Sequence, residues 1–150
     1  MRYESYAGTV EAGQNFSVFD FTSTGPKGII QKRVVFLPTG YPTVFNLALG
    51  DVNAEGLVPD DKSVSNNGDR DKVLATVAEI AIMYTTAFPD RWVLVRGNTA
   101  ARTRLYRMAI TLNLSDLSQQ FEIFGISAAG VETFRTGRHY DAFLVKKKKQ

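Results

Sequence analysis

The stretch DKVLATVAEIAIMYTTAFPDRWVLVRGNT, residues 71–99, changes its hydrophobic period partway along, and that change decides the fold. Val73, Val77, Ile80, Ala81, Tyr84 and Phe88 recur at the spacing of one helix face. Asp69 and Asp71 fall in the first turn, where carboxylates complement the helix dipole, and Pro89 closes the helix. Arg91-Trp92-Val93-Leu94-Val95-Arg96 then reads as a short strand, rich in residues that favour a pleated surface. Gly97-Asn98 turns the chain into a second helix beginning near Thr99. Its expected core face is Ala101, Leu105, Met108, Ala109 and Leu112, within an arc of about 100°.

Upstream, Phe16 to Phe21 reads as a strand and Gly25-Pro26-Lys27-Gly28 as a turn. Ile29 to Leu37 is its hairpin partner, with Ile30, Val34 and Phe36 apolar and Gln31 and Arg33 polar between them. Val44 to Leu49 is a third strand, stopped by Gly50-Asp51, and residues 50–68 read as a polar, acidic loop. Downstream, residues 113–120 either continue the second helix or break it at Ser115-Asp116. Phe121 to Ser127 is a strand, Ala128-Ala129-Gly130 a turn into Val131 to Phe134, and Tyr140 to Val145 a last strand. Hairpin strands with two helices predict an α+β fold: a largely antiparallel sheet of about six strands with two main helices packed on one face. Residues 1–145 are expected to form a single globular domain and residues 146–150 a lysine-rich tail.

With 150 residues and 44% hydrophobic content the chain is long enough to bury a real core. No apolar run approaches the roughly 20 residues of a membrane span, and the N-terminal residues lack the apolar stretch of a signal peptide. The absence of cysteine excludes disulfides, thiol catalysis and cysteine metal sites, so a cytoplasmic protein with no membrane association is expected. The net charge of +3 owes its sign to Lys146, Lys147, Lys148 and Lys149; without them 14 basic residues face 15 acidic ones. The folded body is near neutral, and the lysine run reads as a solubilising end before it reads as a nucleic-acid arm.

The stretch Arg96-Gly97-Asn98-Thr99-Ala100-Ala101-Arg102-Thr103-Arg104-Leu105-Tyr106-Arg107 carries the strongest chemical signal. Asn98 or Thr99 serves as N-cap, and free helix-terminal amides attract anions. Arginines near a helix N-terminus oppose its dipole by a few tenths to about 1 kcal/mol, a penalty that a bound phosphate or carboxylate turns into a gain. Asn98, Thr99, Arg102, Arg104 and Arg107 are therefore the candidate anion-binding residues. Arg104 and Arg107 lie about 60° apart on the polar side, whereas Arg102 falls beside Ala109 at the core margin, placed to pair with a carboxylate of the acidic loop. The bland alternative is a capped helix with structural arginines. Neither Gly-x-Gly-x-x-Gly nor Gly-Lys-Ser/Thr occurs, so dinucleotide and P-loop chemistry are not supported.

Asp51-Val52-Asn53-Ala54-Glu55-Gly56 imitates the start of an EF-hand loop, but its twelfth position is Lys62 and a strand precedes it. An irregular site using Asp51, Asp60 or Asp61 is the remaining metal alternative; no metal and no cofactor is assigned. His139, the single histidine, stands in Arg138-His139-Tyr140-Asp141 and is a side chain able to act as acid or base. No Gly-x-Ser-x-Gly elbow occurs.

Three blocks carry a resemblance. They are Phe45-Asn46-Leu47-Ala48-Leu49-Gly50-Asp51, then Ser65-Asn66-Asn67-Gly68-Asp69 running into Lys72-Val73-Leu74-Ala75-Thr76-Val77, and Gly97-Asn98-Thr99 running into Arg102-Thr103-Arg104-Leu105-Tyr106. Together they resemble an uncharacterised family of bacterial single-domain proteins of unknown function. The resemblance spans most of the chain, implies a free-standing domain and carries over no functional residue. Two of the blocks sit at helix entrances, which converge if Gly50 and Arg96 leave the same sheet edge. The leading functional expectation is a binding module for an anionic ligand, phosphate-bearing or nucleic acid. The alternatives are a homodimer or protein-interaction domain of a two-component regulatory pair, and a small toxin-type ribonuclease using His139 and arginines.

Overall fold

The structure is a computed structural model that describes residues 4–13, 15–53, 56–59 and 68–149. Alternating apolar residues set the sheet. β1 (Glu11–Gly13) edges β2 (Val18–Gly25), which pairs with β3 (Gly28–Pro38) through the two-residue turn Pro26-Lys27, and Gly28 takes φ 94° to close it. β4 (Val44–Asn53) pairs with β3, and β5 (Gly56–Pro59) folds back on its end. The segment expected to be a loop from residue 50 onward is thus partly a hairpin, while residues 54–55 and 60–67, including Asp60 and Asp61, lie outside the described residues.

The helix α1 (Arg70–Ala87) follows, with Val73, Val77, Ile80, Ala81 and Tyr84 buried as the periodicity requires. β6 (Trp92–Val95) returns beside β4 and parallel to it. The second helix, α2 (Ala100–Leu112), ends at Asn113, whose side-chain amide donates to Ala109 O at 2.9 Å; α3 (Leu114–Gln120) then starts a new axis. β7 (Phe121–Ser127), β8 (Gly130–Thr133) and β9 (Ala142–Lys147) complete the sheet, with β9 inserted between β6 and β7.

The path is β1-β2-β3-β4-β6-β9-β7-β8, with β5 attached to β4. This is an α+β fold with a mostly antiparallel sheet, larger than the expected six strands and with three α-helices among the described residues. The extra strands are three- and four-residue pieces whose pairing comes from neighbours rather than from a pattern of their own. Lys146 and Lys147 also pair in β9, opposite Trp92 and Phe121, so the strand takes the first two lysines of the anticipated tail.

The expected core face of α2 is corrected by over a third of a turn. Thr103 and Tyr106 are buried, whereas Met108 and Leu112 are 44% and 43% exposed. The cause is the tight joint at Gly97, whose N–H donates to Thr103 Oγ1 at 3.0 Å and pins that residue inward. Buried positions Tyr106, Asn113 and Leu117 then continue the same side. The core joins this side and α1 to inward residues such as Phe19, Phe36, Leu47, Val93, Phe143 and Phe121. Tyr84 stacks on Phe36 at 3.8 Å between ring centres, and no described helix is long and apolar enough to cross a membrane.

Candidate functional site: a cationic cleft at the second helix

Residues Val95 and Leu47 are partners on neighbouring parallel strands, so the chain leaves β6 at the sheet edge that β4 also runs towards. The turn that follows is built for closeness. A Cβ on Gly97 would lie 2.5 Å from Thr103 N and 2.5 Å from Arg102 Cβ, which only glycine avoids. Thr99, extended at φ −135°, caps α2 by accepting the Arg102 N–H at 3.1 Å, and Thr103 Oγ1 donates back to Thr99 O at 3.2 Å. No acidic residue stands in the first turn, so the positive end of the dipole has no carboxylate of its own helix to meet.

Opposite this entrance lies the segment between β8 and β9. Tyr140 anchors it: its phenol donates to Glu132 Oε2 at 2.6 Å and accepts the Arg135 N–H at 3.1 Å. The ring fills the space over Gly125, where a Cβ would meet Tyr140 carbons at 2.3–2.5 Å. Burial first, then the bond to Glu132, holds the phenol above its ordinary pKa of 10.0. Arg107 ties the two walls together by donating to Arg138 O at 3.1 Å.

Between the walls is a cleft of about 530 Å³, lined by Arg96, Asn98, Thr99, Arg104, Arg107 and His139 together with Gly97, Ala100, Thr103, Tyr140 and Asp141. Among the described residues no carboxylate pairs with the guanidinium of Arg96, Arg104 or Arg107. The one acid in the lining, Asp141, stands 3.4 Å from His139 Nε2. The result is a concave surface with three arginines, a capped helix N-terminus and a histidine–carboxylate pair.

Four of the five residues expected at an anion site line this cleft: Asn98, Thr99, Arg104 and Arg107. Arg102 does not; it is half-buried, its stem packed across Gly97. Of the acidic-loop carboxylates expected to offer it a partner, Asp51 pairs with Lys32, and Glu55, Asp60 and Asp61 lie outside the described residues. Arg96 and His139 join the cleft although sequence reasoning had them in different arguments. A strand-terminal arginine beside a glycine turn was the local signal for Arg96, while for His139 none exists, since a loop 35 residues beyond α2's first turn is brought there by tertiary folding alone.

A second polar group was missed. Lys32, fully buried, stands 2.6 Å from Asp51 Oδ1 as an ion pair. Ser23 and the Tyr6 phenol both donate to Asp69 Oδ2, the latter at 2.6 Å. The signal was present: Ser23, Lys32 and Asp51 continue the inward phases of Phe19-Phe21, Val34-Phe36 and Leu47-Leu49. Strand alternation alone puts three polar residues on the buried face. Ser23 and Lys32 are closed to solvent, and among the described residues no group of three or more His, Asp or Glu is placed to hold a metal ion. The expected convergence of the two helix entrances takes a different form. Gly50 lies inside β4 and does not end it, Arg96 follows the neighbouring parallel strand β6, α1 opens towards β2 and Tyr6, α2 towards the segment before β9, and Asn67 lies outside the described residues.

Fold and cleft together define an α+β domain with a cationic pocket at a helix entrance. The chain belongs to the DUF6934 family, a family of unknown function, whose model matches residues 2–148. No curated protein and no solved structure matches it significantly.

Proposed function

We propose that this domain binds a phosphate-bearing anion, a nucleotide or a nucleic-acid strand, in the cleft at the start of α2. One observation carries the reading: Arg96, Arg104 and Arg107 line a single concave site of about 530 Å³, with no described carboxylate paired to any of them. A volume in this range suits a ligand of nucleotide size. Guanidinium–phosphate bonds are charge-assisted and geometrically selective, so each arginine contributes most when the ligand reaches it bidentately.

The test is titration of labelled single-stranded RNA and of a nucleoside monophosphate into the wild type and into Arg104→Ala/Arg107→Ala. The double variant is expected to bind at least about tenfold more weakly and with a shallower dependence on salt. Equal affinity in the two proteins rejects the site.

The placement of His139 beside Asp141 in the same cleft favours a second reading, proton transfer to a bound phosphodiester in a small ribonuclease. His139→Ala should then abolish RNA turnover while leaving RNA binding within a few-fold. An absence of turnover by the wild type removes this reading and leaves the binding one intact.

A further inference from the structure

The described helices cover one face of the sheet, and the registers show what the other face carries. Val35 pairs with Ala48, Asn46 with Leu94, Leu94 with Leu144, and Leu144 with Phe124. An almost unbroken apolar band therefore crosses β3, β4, β6, β9 and β7. Trp92 stands in the next row against Phe124, 5.6 Å between ring centres. These side chains are half-buried by their own neighbours and none belongs to the core cluster shared with the helices. Ile29, Leu37 and Val131 extend the face outward at 79%, 45% and 61% exposure. Such a band on one side of a sheet is a surface built to be covered.

We infer that a second copy of this chain covers it, face to face, in a two-fold symmetric dimer. The charges decide among occupants. The charged side chains pointing outward on the sheet are Asp20, Arg33, Glu122 and Lys146, with Glu11 on the three-residue edge strand β1 beside Asp20. Asp20 holds Arg33 through two bonds of 2.7 and 2.9 Å. Glu122 and Lys146 are direct cross-strand partners, with Lys146 also over the Trp92 ring at 5.1 Å. Apart from Glu11 at the β1 edge, each charge has its opposite beside it, so the apolar centre of the face shows no net sign for a nucleic acid, an acidic membrane or a charged partner to read. A neutral apolar surface with self-matched polar flanks suits an identical one, and two-fold pairing lets every residue meet its own counterpart patch.

The size is adequate. Seven strands spaced about 4.8 Å apart and about five residues deep present roughly 500 Å² in projection, before side-chain relief is counted. Standard interfaces bury about 800 Å² of accessible surface per partner. Aligned sheet packing, with the strands about 30° apart, is the expected geometry.

Trp92 is the only tryptophan, so its emission reports this face directly. Light scattering across about 1 to 100 μM is expected to give twice the chain mass of 16.6 kDa at the upper end. Trp92 emission should shift to the red as dilution separates the copies. Leu94→Glu and, as a milder second change, Leu144→Lys should each give a monomer with wild-type far-UV circular dichroism and concentration-independent emission. A wild type that stays monomeric over the whole range overturns the proposal. So does a dimer whose Trp92 emission ignores dilution, or one that survives in a folded variant of either kind.

Discussion

The two long helices of this molecule begin in opposite ways. At α1 the N-cap position is Asp69, yet its side chain makes no capping bond; it turns inward to accept from Tyr6 and Ser23. Buried Lys32 and Asp51 pair on the same inward sheet face, so this end of the fold matches its charges from within, although Asp69 Oδ1 is buried with no hydrogen bond among the described residues. At α2 the cap is a threonine, the first turn has no acid, and the arginines point into an open cleft. The difference teaches where to look for function. Charge matched inside the fold serves structure, whereas like charges gathered without an internal match leave room for a ligand.

The largest effect that would break this comparison is expected at the closed end. Asp51→Ala removes the carboxylate beside a fully buried ammonium and should cost about 3 to 5 kcal/mol, read as a lower urea midpoint. A loss under about 1 kcal/mol would mean that the α1 end is no more internally bound than the α2 end.

Next comes the joint that aims the cleft. Gly97→Ala places a methyl 2.5 Å from the α2 backbone, and overpacking of this kind costs about 1 to 3 kcal/mol. Affinity for the proposed phosphate-bearing ligand should fall with it, because the first turn must swing away from Arg96. Preserved stability and affinity would show that the turn relaxes freely.

Thr99→Ala sharpens the contrast between the caps. It deletes a bond that α1 lacks, with an expected cost of about 1 kcal/mol by thermal or urea unfolding. The smallest effect concerns pH. The raised phenol of Tyr140 stabilises the fold fully below its ordinary value of 10.0, and that contribution is lost as pH rises through the folded value. The stability difference between wild type and Tyr140→Phe should therefore narrow in alkaline solution. A constant gap from neutral pH upward would contradict the assignment.

Much of the fold was legible because it rests on local periodicity. The α1 face, the β2–β3 hairpin and the β6 strand each follow from apolar spacing and from Gly28 or Pro89 as punctuation. The α2 face was misread because its rotation is set by a bond between Gly97 and Thr103, which outweighs the modest apolarity of Met108 and Leu112. The inward Lys32 was readable from strand phase, but a lysine at an inward position is so costly to bury that its ion pair with Asp51 had to be seen.

By itself, then, the chain determined the two main helices and the longer strands, that the body is near neutral, and that arginines crowd the start of α2. These are properties of neighbours in sequence, fixed by backbone sterics and side-chain spacing. Only the tertiary structure decided that β9 slots between β6 and β7, which carries His139 and Asp141 to the cleft wall opposite Arg104. It alone decided, too, that the described helices all cover the same sheet face. Long-range pairing depends on the total burial and hydrogen bonding of many strands at once, and no local pattern encodes that sum.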